Sequence, residues 1–118
     1  MKLDSSLIKS DDNEEQTCCI TMTGDFDAEG AQEAREKIES LCVDCHYEQV
    51  HINMQQVGFL DSSGIGALVY LFKRLKANNT QLTLLGVRGQ PAELMKLLRV
   101  NQAITIEWGD EDSQGLDI

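Results

Sequence analysis

Strand-like and helix-like segments alternate along this chain of 118 residues, and this alternation limits the folds open to it more than any other feature. The β-strand pattern recurs in four segments, over residues 17–23, 50–54, 82–85 and 103–108, with a weaker one over 3–8. Helical periodicity separates them, over residues 27–41, 63–78 and 89–98. Such alternation predicts an α/β domain with a largely parallel sheet of about four to five strands and right-handed crossovers.

The hydrophobic pattern also predicts which helix faces are buried. The predicted buried face of the second helix contains Ile65, Leu68, Val69, Phe72 and Leu75. That of the third helix contains Leu94, Leu97 and Leu98. In the first helix, for which Asp27 is the expected N-cap, the apolar stripe ends at Cys42.

Composition excludes several classes of protein. The formal net charge is −10, with the acidic residues concentrated at both ends of the chain, so nucleic acid phosphates would be repelled. No apolar run approaches the roughly 20 residues that a membrane span needs, and the N-terminus lacks the apolar core of a signal peptide. We therefore expect one cytoplasmic domain over residues 1–118, without a membrane partner, with its cysteines as thiols and with a frayed acidic tail over 109–118.

Two hydroxyls stand at the entrance to the second helix, in residues 58–66 (GFLDSSGIG). Backbone N–H groups at a helix N-terminus lack intrahelical partners, and this position favours an anion, above all a phosphate. A plainer interpretation gives these residues a capping role alone, since Ser or Asp before a helix usually contributes about 1 kcal/mol as an N-cap. Spacing by itself favours the capping interpretation.

Catalytic and metal-binding interpretations have less support. A serine hydrolase needs a histidine beside its serine, but the chain has only His46 and His51, and the Gly-x-Ser-x-Gly pattern is missing. The glycine spacing does not match a phosphate-binding P-loop. The segment 42–46 (CVDCH) has a gap suited to zinc, yet Cys42 already completes a helix stripe and no second pair follows. We expect no metal and no cofactor.

Residues 59–66 (FLDSSGIG) resemble, almost residue for residue, the phosphorylation loop of the STAS family, the anti-sigma-factor antagonists of bacteria. The turn at 24–27 (GDFD) and the helix start at 90–94 (QPAEL) give weaker support, and the resemblance extends over residues 17–106. It implies a single STAS-like domain with helices packed on a mixed, largely parallel sheet. The cysteine pair and the acidic tail are not part of the family pattern.

The resemblance implies a phospho-regulated switch without catalysis of its own. In this family a partner kinase of the GHKL ATPase type, often also an anti-sigma factor, phosphorylates the serine directly after the Asp, and a PP2C-type phosphatase removes the phosphate. The corresponding residue is Ser62, and Ser63 would be a minor acceptor or a helix cap. The implied partner-binding residues are Asp27, Asp61, Ser62, Ser63 and Gly64.

Other functions stay open at this point. Within the same family, the chain could regulate a target other than a sigma factor, such as a response regulator or a lipid transporter. A small hydrolase or thiol enzyme is the alternative from a different class, and it lacks a convincing base.

Overall fold

A computed structural model describes residues 2–9, 16–43 and 47–109. Its elements are β1 (Lys2–Lys9), β2 (Gln16–Thr23), α1 (Ala28–Val43), β3 (Gln49–Gln56), α2 (Ser62–Ala77), β4 (Gln81–Val87), α3 (Gly89–Leu97) and β5 (Thr105–Trp108). A 3-10 helix at Val100–Gln102 joins α3 to β5. Each predicted strand and helix is present with the predicted type, and the boundaries differ by only a few residues.

The five strands of the described chain form one sheet in the order β1-β2-β3-β4-β5. The edge strand β1 runs antiparallel to β2, whereas the other neighbouring strands are parallel. Every parallel step is made through a helix and proceeds in the same direction across the sheet. Right-handed crossovers therefore place all three helices on one face. The predicted α/β fold with a mixed, largely parallel sheet is confirmed.

The hydrophobic core lies between the helices and the sheet face that they cover. Alternate residues of β2 and β3 are buried there: Cys18, Ile20, Met22, Val50, Ile52 and Met54. The residues between them, such as His51, point to the other face and stay partly exposed. Parallel strands usually appear as continuous apolar runs because both faces are covered. Burial alternates in β2 and β3 because the helices cover only one face of these strands.

Two of the predicted helix faces need correction. The buried residues of α2 are Gly64, Leu68, Leu71 and Leu75, while Ile65, Val69 and Phe72 are half-buried. Those of α3 are Pro91, Ala92 and Met95, with Leu94 half-buried. Leu97 and Leu98 are 76% and 50% exposed, so the prediction that they are buried is wrong. The helix ends at Leu97, and its buried residues all lie in its first two turns.

Some of the sequence predictions concern residues outside the described part of the chain, namely Cys45 and His46 of the cysteine pair and the tail 110–118. Cys42 is described, and it is buried near the end of α1 as the helix pattern predicted. Gly109 is also buried, and its N–H donates to the Val87 oxygen at 2.8 Å. The predicted frayed segment therefore does not include Gly109.

Candidate functional site

The serine stretch, residues 58–66, lies at the edge of the sheet that is formed by the carboxyl ends of the parallel strands. Because β2, β3 and β4 are parallel neighbours, their carboxyl ends meet at this edge. The connections to α1 and α2 leave from there and carry Asp27 and Asp61, and the connection to α3 leads directly to Gln90, the second residue of that helix. In open α/β sheets, ligands bind at the carboxyl ends of the strands, which makes this edge the candidate site.

Asp61 is the N-cap of α2. Its backbone is extended, and its Oδ1 accepts hydrogen bonds from the N–H groups of Ser63 at 2.9 Å and Gly64 at 3.2 Å. Two N–H groups that the helix itself leaves unpaired are thereby satisfied. The helix begins one residue earlier than predicted, and capping belongs to Asp61. The prediction of Ser63 as a helix cap is therefore wrong.

Ser62 and Ser63 occupy the first two positions of α2, and both are exposed. Their hydroxyls lie near the positive end of the helix dipole, where an anion such as phosphate is favoured. The cap is supplied by the neighbouring Asp61, so the fold does not depend on either hydroxyl for starting the helix. An exposed hydroxyl that has no capping role is open to modification by a second protein.

Gly64 holds the start of α2 against the turn between β2 and α1. A Cβ at this position would lie 2.2 Å from the Phe26 carbonyl oxygen and 2.6 Å from Leu60 Cδ1, which is closer than real side chains approach. At Gly66, one half-turn later, a Cβ would meet nothing within 4 Å. Gly64 is buried, so its effect on a partner would act through the placement of the serines.

The backbone of the loop before the serines is paired with the same turn. Phe26 and Leu60 form a parallel bridge, in which the Phe26 N–H donates to the Phe59 oxygen at 2.9 Å. The Asp61 N–H donates to the Phe26 oxygen at 3.4 Å. Both Phe26 and Leu60 are fully buried. The serines thus follow a loop that is anchored by side chains in the core and by the backbone of the neighbouring connection.

Gln90, the second residue of α3, also contacts the loop before the serines. Its Oε1 accepts a hydrogen bond from the Leu60 N–H at 2.8 Å, and its Nε2 donates to the Leu60 oxygen at 2.8 Å. One side chain therefore pairs both polar groups of the Leu60 backbone. Sequence reasoning used residues 90–94 as a helix start and as a weak sign of family resemblance, and it missed this contact. No local periodicity reveals a hydrogen bond between residues 30 positions apart.

Asp27 caps α1, as the sequence predicted. Its Oδ1 accepts a hydrogen bond from the Gly30 N–H at 2.9 Å, and its backbone oxygen accepts one from Ala31 at 2.7 Å. Asp27 directly follows Phe26, the residue that bridges to Leu60. The structure therefore brings Asp27 to the same edge as Asp61 and the two serines.

Farther along the two helices, α1 and α2 enclose a groove of about 520 Å³. Tyr70 on its wall donates a hydrogen bond to Glu39 Oε1 at 2.6 Å and accepts one from Arg74. The hydrogen bond to Glu39 raises the pKa of Tyr70 above its ordinary value of 10.0. Sequence reasoning missed this cluster because its members belong to the polar faces of two separate helices.

The Nε2 of His51 is hydrogen-bonded to the Oε1 of Gln49 at 2.9 Å. This side chain lies on the sheet face away from the helices, so it is not placed to act as a base for Ser62. Within residues 2–9, 16–43 and 47–109, no group of three or more His, Cys, Asp or Glu side chains could hold a metal ion. In the same part of the chain, the helices are too short or too polar to cross a membrane.

Comparisons with known proteins are consistent with this geometry. The family model of the STAS domain matches residues 9–109. An anti-sigma-B factor antagonist of Staphylococcus epidermidis is 26% identical over 111 residues, covering 94% of this chain and 98% of the relative.

Solved structures show the same fold. The unphosphorylated form of the anti-sigma factor antagonist SpoIIAA has a TM-score of 0.62 at 20% identity, covering 97% of this chain and 96% of its own. The phosphorylated form of the Bacillus cell fate determinant SpoIIAA has a TM-score of 0.62 at 18% identity, covering 96% and 99%.

Proposed function

Since the chain belongs to the STAS domain family, we propose that it is a protein-binding switch controlled by phosphorylation of Ser62. The unmodified form binds a serine kinase of the GHKL type that also acts as an anti-sigma factor, and the phosphorylated form releases it. A PP2C-type phosphatase resets the switch. The observation that carries this proposal is an exposed Ser62 beside a helix cap that Asp61 already provides.

The relatives support a role in opposing an anti-sigma factor. The protein of Staphylococcus epidermidis is an anti-sigma-B factor antagonist by name, so a protein of this kind acts by opposing an anti-sigma factor. SpoIIAA has been solved both unphosphorylated and phosphorylated, and this chain has the same TM-score of 0.62 to each. A protein with this fold has therefore been observed carrying a phosphate. In this proposal the domain is a substrate and a ligand, and it has no catalytic activity of its own.

Electrostatics explains why phosphorylation would release the partner and leave the fold intact. A phosphate on Ser62 adds about 1.5 to 2 negative charges and three strong acceptor oxygens. The N-terminus of α2 tolerates these charges. The partner surface, by contrast, would meet the phosphate beside the Asp61 carboxylate, in an interface shaped for a hydroxyl. Charge repulsion and loss of hydration then weaken binding.

The surface proposed for the partner contains Asp27, Asp61, Ser62 and Ser63, with Gly64 buried behind them. They lie at the starts of α1 and α2, and the Phe26–Leu60 bridge joins the connections that precede these two helices. Both serines are exposed, and the choice of Ser62 over Ser63 follows the family pattern, in which the acceptor directly follows the Asp. Ser63 stays the minor candidate.

The first experiment is intact-mass analysis of the protein isolated from its native cell, with the modified residue mapped. We expect one phosphate on Ser62, absent from Ser62→Ala and still present in the matched control Ser63→Ala. Phosphate on Ser63 alone would contradict the assignment. An unmodified chain under every condition, including loss of the phosphatase, would favour a STAS subunit that acts on another target.

The second experiment measures binding to the kinase. Immobilised Ser62→Ala protein should retain the kinase, whereas Ser62→Asp should retain at least roughly tenfold less, because it places a permanent negative charge beside Asp61. Ser63→Ala should retain as much kinase as the unchanged protein. Equal retention by Ser62→Ala and Ser62→Asp would overturn the switch.

A further inference from the structure

Gln90 holds the backbone of the residue that precedes Asp61 and Ser62 in the loop. We propose that Gln90 is a positioning residue for the phosphoacceptor: by pairing both polar groups of Leu60, it sets where Ser62 meets the kinase. The inference rests on the proposed function, because it concerns how Ser62 is presented. It adds to the site a residue of α3, which lies outside the serine stretch.

The hydrogen bonds around Leu60 differ in quality. The two bonds to Gln90 are each 2.8 Å long, well within the range of good protein hydrogen bonds. The bond from the Asp61 N–H to the Phe26 oxygen is 3.4 Å long and therefore weaker. The Leu60 side chain is fully buried, so the residue cannot turn outward to pair its backbone with water. Together with the 2.9 Å bond from the Phe26 N–H to the Phe59 oxygen, the two bonds to Gln90 restrain the peptides on both sides of Leu60.

Loss of Gln90 would therefore displace the loop. The Leu60 N–H and carbonyl would both lose their partner at a partly buried position, where unpaired backbone groups are unfavourable. The loop would have to move in order to bring them to water, and Ser62 lies only two residues farther along. At the start of α3 the cap position, Arg88, makes no side-chain cap hydrogen bond. The Gln90 side chain is directed to the serine loop instead.

Phosphoryl transfer is sensitive to a displacement of this kind. The attacking oxygen and the leaving oxygen have to be roughly in line, and catalysis depends on positioning. A misplacement of about 1 Å can lower a rate by about 100-fold. The residues that would contact the kinase remain present in a Gln90 variant. We therefore expect a loss in kcat that is larger than any change in KM.

The test uses the full chain and the kinase that Ser62→Ala captures, with ATP as phosphate donor. Gln90→Ala should lower kcat for phosphorylation of Ser62 by roughly tenfold or more, with KM changed by less than about threefold. Gln90→Met keeps the length of the side chain but cannot donate a hydrogen bond to the Leu60 oxygen, so it should show the same loss. The matched control is Gln102→Ala, an exposed glutamine that follows α3, and it should behave like the unchanged protein.

Amide hydrogen exchange supplies a readout that does not depend on the kinase. Exchange at Leu60 should become faster in Gln90→Ala and Gln90→Met, while exchange in the core strands β2 and β3 stays unchanged. Faster exchange throughout the chain would indicate general destabilisation and would overturn a role in positioning.

The outcomes separate this inference from the proposed function. A normal kcat in Gln90→Ala, or restoration by Gln90→Met, would overturn the role of Gln90 and leave the switch intact. Failure of the captured protein to phosphorylate the unchanged chain would overturn the proposed function, and the role of Gln90 in presenting Ser62 with it.

Discussion

Helices α1 and α2 begin with the same four-residue pattern and differ only in its two middle residues. The segments are 27–30 (DAEG) and 61–64 (DSSG). In both, the Asp carboxylate caps the helix by accepting the N–H of the Gly, and the Gly is buried. The two middle positions are exposed in both helices. Since α1 begins without a hydroxyl at either position, the serines of α2 are not needed to start a helix in this fold.

The same comparison shows what a phosphate would change. The start of α1 has two negative charges, from Asp27 and Glu29, whereas the start of α2 has only Asp61. Phosphorylation of Ser62 would add negative charge to the start of α2, whereas Glu29 carries a negative charge permanently at the start of α1. Both helix starts provide the positive dipole end that stabilises such charges. The difference between the helices is therefore that one charge is fixed and the other would be switchable.

The largest effect on stability is expected from a substitution of the glycine in the shared pattern. Gly64→Ala should lower the free energy of unfolding by about 1–3 kcal/mol or more, because the new Cβ would overlap the Phe26 carbonyl oxygen. Gly66→Ala is the matched control on the same helix, and it should raise stability by about 0.5–1 kcal/mol because its Cβ has open space. Urea unfolding would measure both, and effects of the same sign would contradict the packing argument.

The next effect concerns the two caps. Asp27→Ala and Asp61→Ala should each lower the free energy of unfolding by about 1 kcal/mol. The loss at Asp61 should be the greater because its carboxylate accepts two hydrogen bonds, whereas Asp27 is described with one. Denaturant unfolding of the two single variants tests this order. An Asp61→Ala protein as stable as the unchanged one would show that a serine takes over the cap.

A smaller effect is expected from the hydrogen bond between Tyr70 and Glu39, which joins α2 to α1 away from their N-termini. Because Glu39 accepts its hydrogen bond, the pKa of Tyr70 lies above 10.0 in the folded protein. The folded state then holds this proton more tightly than the unfolded state does. The stabilisation is fully present below about pH 10 and is lost as pH rises through the folded pKa.

Ultraviolet titration of the tyrosinate band measures this pKa. It should be done in a Tyr47→Phe background, which removes the signal of the other tyrosine. Glu39→Gln should lower the pKa of Tyr70 towards 10.0. A pKa that is independent of Glu39 would mean that the hydrogen bond between α1 and α2 does not form in solution.

The smallest effect on stability is expected from the residue with the largest proposed role. Ser62→Ala should change the free energy of unfolding by less than about 0.5 kcal/mol, as is usual for exposed positions away from caps. The reciprocal change, Ala28→Ser, places a hydroxyl at the equivalent position of α1. The kinase should leave this new hydroxyl unmodified. Phosphorylation of the Ala28→Ser protein on α1 as readily as on Ser62 would show that the capped pattern alone is recognised.

Local signals account for the parts that the sequence predicted correctly. Alternating periodicities identified the α/β fold, because covering one sheet face with helices leaves a period of two in β2 and β3. Asp27 was identified as a cap from its position before an apolar helix pattern. The serine stretch was found because unusual small and polar residues are concentrated in a few consecutive positions.

Contacts between distant segments account for what was missed. The bonds from Gln90 to Leu60, the close approach of Gly64 to Phe26 and the pair of Tyr70 with Glu39 depend on how elements pack, which no local pattern encodes. The exposed Leu97 and Leu98 were predicted as buried for a related reason. Periodicity predicts a face, but it does not predict where the helix leaves the sheet.

The order of the strands has a consequence for how the protein is made. Each strand pairs with its neighbour in the sequence, so no strand has to enter between two that are already paired. The sheet can therefore grow at one edge as the chain emerges from the ribosome, amino-terminal part first. Gln90 reaches Leu60 only after β4 and the start of α3 have been synthesised. A nascent chain in which Ser62 has already been synthesised therefore still lacks the hydrogen bonds between Gln90 and Leu60. The site is complete only when most of the domain has been made.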